Sequence, residues 1–202
     1  MSEDRPQGPI RVPISRLDLG LIAQHAEQRT TELRQHSASY GHVSVDGNTV
    51  GLLGEYAVHH WLSTHATQPK HIEDGIAEDA ANPLATFTPL SDWDIRFHPR
   101  RVHASLTTTV EVKTNRATDW KKYGRTLNAH QLSKTRAHTY VWCVVADELP
   151  TTSVLLMGWC VTQDLLASTG QRLSPVRATV RATAPMRPMP DLLTYVGWDV
   201  RR

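Results

Sequence analysis

Hydrophobic positions along this chain repeat with two different periods, and the changes between them mark out the elements. Residues 1–14 carry Pro6, Pro9 and Pro13 among polar neighbours and read as an extended arm. From Ser15 the spacing becomes helical. Ser15 and Asp18 form a capping pattern, and Leu17, Leu21, Ile22, Ala26 and Leu33 make one stripe, which predicts a helix over 16–37. After the break between Gly41 and Gly47, Asn48 can cap a second helix over 49–64. Its stripe is Val50, Leu53, Ala57, Val58 and Trp61, with Glu55 and His59 on another face.

Residues 65–90 show no period and read as an acidic loop. The period then falls to two. Trp93, Ile95 and Phe97 alternate with Asp92, Asp94 and Arg96, and Leu106, Thr108, Val110 and Val112 alternate with Thr107, Thr109, Glu111 and Lys113. Each run predicts a half-buried strand. Residues 114–127 read as a basic polar loop, and Asn128 with Gln131 predicts a capped helix over 129–138. Two continuous apolar runs, 140–146 and 154–161, suit strands buried on both faces. Thr162 caps a short helix over 163–168. A strand near 176–182, a Pro/Met-rich turn and a last segment over 192–200 complete the chain. The order mixes an antiparallel meander with a helical crossover, so the fold class is α/β with a mixed central sheet flanked by helices. The division expected is an N-terminal arm and helix over 1–47, a core over 48–170 and a C-terminal extension over 171–202.

Composition narrows the function classes. The chain has 202 residues, enough for one domain with a small appendage. No apolar run approaches the ~20 residues of a membrane helix, and the first residues are polar, so no membrane and a cytoplasmic setting are expected. Cys143 and Cys160 lie in apolar runs and read as reduced core thiols. His59, His60 and His65 lack the Cys or acidic spacing of a zinc site. The net charge of +2 hides a split. Residues 71–94 hold six acids and no Lys or Arg, whereas 95–140 hold ten bases against two acids. That basic block is either a solvated surface or a polyanion footprint. Only five of the 22 basic residues are lysines, and four of those lie between 113 and 134.

Glu111-Val112-Lys113 carries the candidate chemistry. On a strand, Glu111 and Lys113 share a face, while Val110 and Val112 anchor the other. Asp94, on the polar face of the preceding strand, can lie beside Glu111. Two converging carboxylates suit a hard divalent cation such as Mg²⁺ or Mn²⁺, and Glu55 can add a third. Lys113 can then stabilise charge developing on a phosphate. Read alone, Glu111 and Lys113 are an ordinary same-face ion pair, of the kind that contributes little at a surface.

Taken together, Gly51-Leu52-Leu53-Gly54-Glu55 on a helix, Asp92-Trp93-Asp94-Ile95 and Val110-Glu111-Val112-Lys113-Thr114 on consecutive strands, and a helix and strand after them resemble the PD-(D/E)XK nuclease superfamily. The resemblance covers residues 48–168 and implies the restriction-endonuclease-like αβββαβ core. It implies metal-dependent hydrolysis of phosphodiesters, usually of DNA. Carried onto this chain, it makes Asp94 and Glu111 metal ligands, Lys113 catalytic and Glu55 an auxiliary acid. No Pro precedes the candidate Asp. Asp92 shares a face with Asp94 and is the alternative ligand, Asp94 being preferred because Ile95 and Phe97 follow it. Gln131 is either the glutamine that some relatives use or a capping partner of Asn128. Arg116, Lys121, Lys122, Arg125 and Lys134, interleaved with Trp120 and Tyr123, are the candidate nucleic-acid contacts. The terminal segments leave room for substrate recognition or a homodimer contact. The competing reading is a non-catalytic nucleic-acid-binding or assembly module on the same fold.

Overall fold

The computed structural model describes residues 8–36, 44–65, 72–74, 94–97, 108–128, 132, 137–174 and 179–195. It is a mixed α/β structure, in which a six-stranded mixed sheet is flanked by helices. In chain order the first elements are β1 (Ile10–Pro13), α1 (Arg16–His36), α2 (Val45–His65), β2 (Ile72–Asp74), β3 (Ile95–Phe97) and β4 (Thr108–Arg116). There follow α3 (Ala117–Tyr123), β5 (Thr126–Asn128), β6 (Thr139–Val145), β7 (Ser153–Val161), α4 (Thr162–Ala167), β8 (Thr169–Ser174), β9 (Thr179–Ala182) and α5 (Met189–Tyr195).

The large sheet runs β1-β7-β6-β4-β3-β2, and a small one runs β5-β9-β8. The strands β2, β3 and β4 form an antiparallel meander, and β4 then pairs in parallel with β6. A parallel neighbour needs a crossover, and here the chain crosses through residues 117–138. All seven residues of β6 are buried, as its unbroken apolar run requires of a central strand covered on both sides.

Two apolar clusters sandwich the large sheet. On one side, Leu53, Ala57, Val58, Trp61 and Leu62 of α2 meet Val110 and Val112 of β4 and Val141 and Cys143 of β6. On the other, Tyr140 and Trp142 of β6 meet Leu127, Leu165, Val180 and Ala182. Each fully buried side chain of this kind stabilises the fold by roughly 1.5–3 kcal/mol. Two glycines are set by close approach. A Cβ on Gly54 would lie 1.8 Å from Thr114 Oγ1, so only glycine lets α2 press onto β4 there. Gly158 has φ +140° and faces the Arg187 carbonyl at what would be 2.7 Å from a Cβ. It lies beside the register shift between β6 and β7.

Several expectations are revised. The arm supplies β1, an edge strand on β7. Leu17 and Leu21 are exposed, so the buried stripe of α1 narrows to Ile22 and Ala26. The second helix starts at Val45, and its first turn is closed by Ser44, whose hydroxyl accepts the Gly47 N–H at 3.0 Å. Asn48 lies inside the helix and donates to Thr30 of α1 instead. The loop over 65–90 contains β2. Residues 114–127 are not a loop: β4 runs on to Arg116, and α3 and β5 follow. Thr162 makes no cap, since its hydroxyl donates to the Ala137 carbonyl. The final segment is helical from Met189. The helix over 129–138 lies mostly outside the described residues, with Leu132 helical and Ala137 and His138 not. Among the described residues, no helix is long and apolar enough to cross a membrane.

Candidate active site

The site forms where the β3–β4 ladder stops. Ile95 pairs with Val110, and the chain enters β3 at Asp94, so Asp94 stands opposite Glu111. The Asp94 N–H donates to the Val110 carbonyl at 2.9 Å. Its carboxylate takes the next position on the ladder and accepts the Val112 N–H at 2.6 Å. A side chain thus replaces a strand partner, which anchors Asp94 against β4.

Strand alternation does the rest. Val110, Val112 and Thr114 face α2, and Glu111 and Lys113 point the other way, beside Tyr140 and Trp142 of the parallel neighbour. The Lys113 ammonium donates to Glu111 Oε1. Both side chains are about a fifth exposed, at 22% and 18%. This pair is therefore mostly shielded, unlike the surface pair that the residues alone allow.

Glu55 arrives from α2, one residue beyond the glycine that seats the helix on Thr114. Arg29 of α1 donates to it, Nη1 to Oε1 at 3.1 Å, with the carboxylate side chain only 12% exposed. Three carboxylates and two cations from four elements thus share one neighbourhood. Their electrostatics show it. Burial, then the charges of Glu55 and Glu111, raise the Asp94 carboxyl well above the usual carboxylate value, against the pull of Lys113 and the Val112 N–H. Burial works against the Lys113 charge, but Glu111 and Asp94 outweigh it and hold the ammonium above its ordinary value. Beneath the cluster, the Cys143 thiol points at the Gly54 carbonyl and is pushed far up by burial and then by Asp94 and Glu55. It is an inert core thiol, as expected.

The donor chemistry fits a divalent cation. The carboxylates are hard oxygen donors, and crowding raises the energy of ionising Asp94, a strain that a cation would relieve. A finished coordination shell is not pre-formed: among the described residues, no three Asp, Glu, His or Cys side chains are grouped to hold a metal. Glu111 and Glu55 are instead engaged by Lys113 and Arg29. A pocket of about 150 Å³ between α1 and α2 borders the cluster and shares Glu55 with it.

The remaining candidates separate. Arg116 is committed to structure, donating to Asp46 at the start of α2 at 2.6 Å and to the Asp147 carbonyl. Lys121 and Lys122 are exposed on α3, with Lys122 4.9 Å from the Tyr123 ring centre. Arg125 lies over the Trp142 ring at 5.4 Å, on the far side of the sheet from α2. Asp92, Gln131 and Lys134 lie outside the described residues. His60 and His65 stack on Tyr56 and Trp61. The residue that sequence reading passes over is Arg29. Its only signal is a position seven residues after Ile22 on the buried side of α1. Comparison of the chain with protein-family models, with curated proteins and with solved structures finds no match.

Proposed function

We propose that this protein is a metal-dependent nuclease that hydrolyses phosphodiester bonds, with DNA as the substrate class. The observation that carries the reading is the meeting of Asp94, Glu111 and Lys113 at the end of the β3–β4 ladder, with Asp94 strained by its neighbours. The order of elements supports it. A helix bearing Glu55, an antiparallel meander and a crossover to a parallel strand is the order of the restriction-endonuclease-like core. The basic face formed by Lys121 and Lys122 of α3 follows directly from β4 and supplies charge for a phosphate backbone.

In this reading Asp94 and Glu111 hold Mg²⁺ or Mn²⁺, and Glu55 assists. The cation, when bound, polarises the phosphodiester and activates a water. Lys113, held protonated by Glu111 and Asp94, can donate hydrogen bonds. Its ammonium stabilises the negative charge that grows on the phosphoryl oxygens. The Val112 N–H keeps Asp94 from swinging away as the neighbouring charges change.

One observation favours a second reading, a non-catalytic nucleic-acid-binding module: Glu111 and Glu55 already have cation partners. A panel of single-stranded, double-stranded and branched DNA and RNA, incubated with and without Mn²⁺, separates the two. The nuclease reading expects Mn²⁺-dependent cleavage that Lys113→Ala slows about 10²–10³-fold while binding persists. Salt-sensitive binding with no cleavage of any substrate establishes the module instead.

A further inference from the structure

We propose that Arg29 is a positioning residue for this reaction: it holds Glu55 beside Asp94 and competes with the divalent cation for the carboxylates. The inference rests on the metal-dependent reading above and adds a role for α1, an element outside the αβββαβ core.

Arg29 is built into its place. It follows Ile22 and Ala26 along the buried side of α1. The next residue, Thr30, is locked from two sides. Its hydroxyl donates to the Ala26 carbonyl at 2.7 Å and accepts the Asn48 side-chain amide of α2 at 2.7 Å. The α1–α2 register is thereby set beside Arg29. Glu55, its partner, sits next to Gly54, whose missing side chain lets α2 touch Thr114 of β4. A mechanical line runs from α1 through Arg29 and Glu55 to the strand that carries Glu111 and Lys113.

Charge counting gives this line a chemical meaning. Glu55, Asp94 and Glu111 with Lys113 and Arg29 leave a formal charge of −1. One divalent cation makes the site +1, the complement of a phosphodiester. Without Arg29 the three carboxylates with Lys113 leave a formal charge of −2, which favours a cation more strongly but leaves Glu55 without its guanidinium partner. Arg29 thus costs cation affinity and maintains carboxylate geometry.

The test is calorimetric titration of the full chain with Mn²⁺ alone, alongside cleavage rates at saturating Mn²⁺. Arg29→Gln is expected to bind Mn²⁺ about tenfold more tightly while cleaving more slowly. Arg29→Lys keeps the charge and is expected to hold the wild-type affinity and recover part of the rate. Tighter binding with slower cleavage is a signature that simple loss of helix packing does not produce. Unchanged or weaker Mn²⁺ binding in a folded Arg29→Gln protein overturns the proposal and leaves the metal site standing. If the wild type binds no Mn²⁺, the metal-dependent reading falls, and this inference with it.

Discussion

Two cations beside the large sheet are held in opposite ways. Where β3 meets β4, Lys113 is set among Asp94 and Glu111, with Arg29 and Glu55 close by. Farther along the same face as Lys113, Arg125 lies over the Trp142 ring, and among the described residues burial is the main influence on its charge. Burial lowers the Arg125 value below that of an ordinary guanidinium, whereas Lys113 is held above its ordinary one. Among the described residues, Arg125 Nη1 and Trp142 Nε1 are both buried without a hydrogen-bond acceptor. A fold that needs only to cover apolar surface has no use for three crowded carboxylates, since buried ion pairs seldom repay their desolvation. In the nuclease reading proposed above, the Lys113 arrangement serves the chemistry, whereas Arg125 packs against Trp142.

The sharpest way to break this contrast is to delete each cation in turn. Lys113→Ala is expected to slow cleavage by about 10²–10³-fold, the usual cost of removing one transition-state donor, while DNA binding survives. Arg125→Met should leave the chemical step intact, and single-turnover rates measure both. Comparable losses from the two would erase the distinction.

Next in size is the seating of α2 on β4. Gly54→Ala drives a methyl into Thr114 and is expected to cost roughly 1–3 kcal/mol in denaturant unfolding. Thr114→Ala alone should cost little, because its buried hydroxyl has no hydrogen-bond partner among the described residues. In the double variant the two effects should not add, the second substitution relieving part of the first.

On the side away from α2, Arg125→Met should change stability by less than about 1 kcal/mol, because the lost cation–π contact is offset by relief of desolvation. Thermal unfolding checks it. A large loss would mean that Arg125 has a partner as strong as those of Lys113.

The smallest effect tests the far end of the α1–α2 hairpin. Ser15 and Tyr56 both donate to Asp18, holding its carboxyl below the ordinary value. Burial and this bond raise Tyr56 to about 12. The Tyr56 contribution is complete below pH 10 and is lost as pH rises through 12, because the folded state holds the phenol proton more tightly. The Asp18 contribution is complete above the ordinary carboxylate value and is lost as pH falls through the lowered one. Tyr56→Phe is expected to lower stability at neutral pH by about 1 kcal/mol and to flatten the alkaline limb. An unchanged alkaline limb would remove the bond from the account.

The contrast also explains what was legible in the sequence. Asp94, Glu111 and Lys113 could be found because strand alternation fixes the face of every side chain once Val110 and Val112 are assigned to the core. Ser15 and Asp18 could be read because a cap is local. Arg29 could not, since its meaning lies in a partner 26 residues away across a helix hairpin, and it is one of many arginines. The element α3 escaped because Ala117–Tyr123 buries no residue and so carries no apolar stripe. The strand near 176–182 was legible and forms β9 of the small sheet, but β5 escaped because it has three residues and only Leu127 is buried. Ser44 lost to Asn48 as the cap because both residue types accept the same bond, and only the helix start decides between them.

The central claim is that Glu111 serves a metal-dependent reaction and not merely a salt bridge. Its most direct test is the cleavage rate of DNA at saturating Mn²⁺ for wild type and Glu111→Gln, with binding to the same DNA measured in EDTA. The expected result is cleavage by the wild type, loss of it in Glu111→Gln, and equal binding by both. Equal cleavage by the two proteins, or none by either, contradicts the claim.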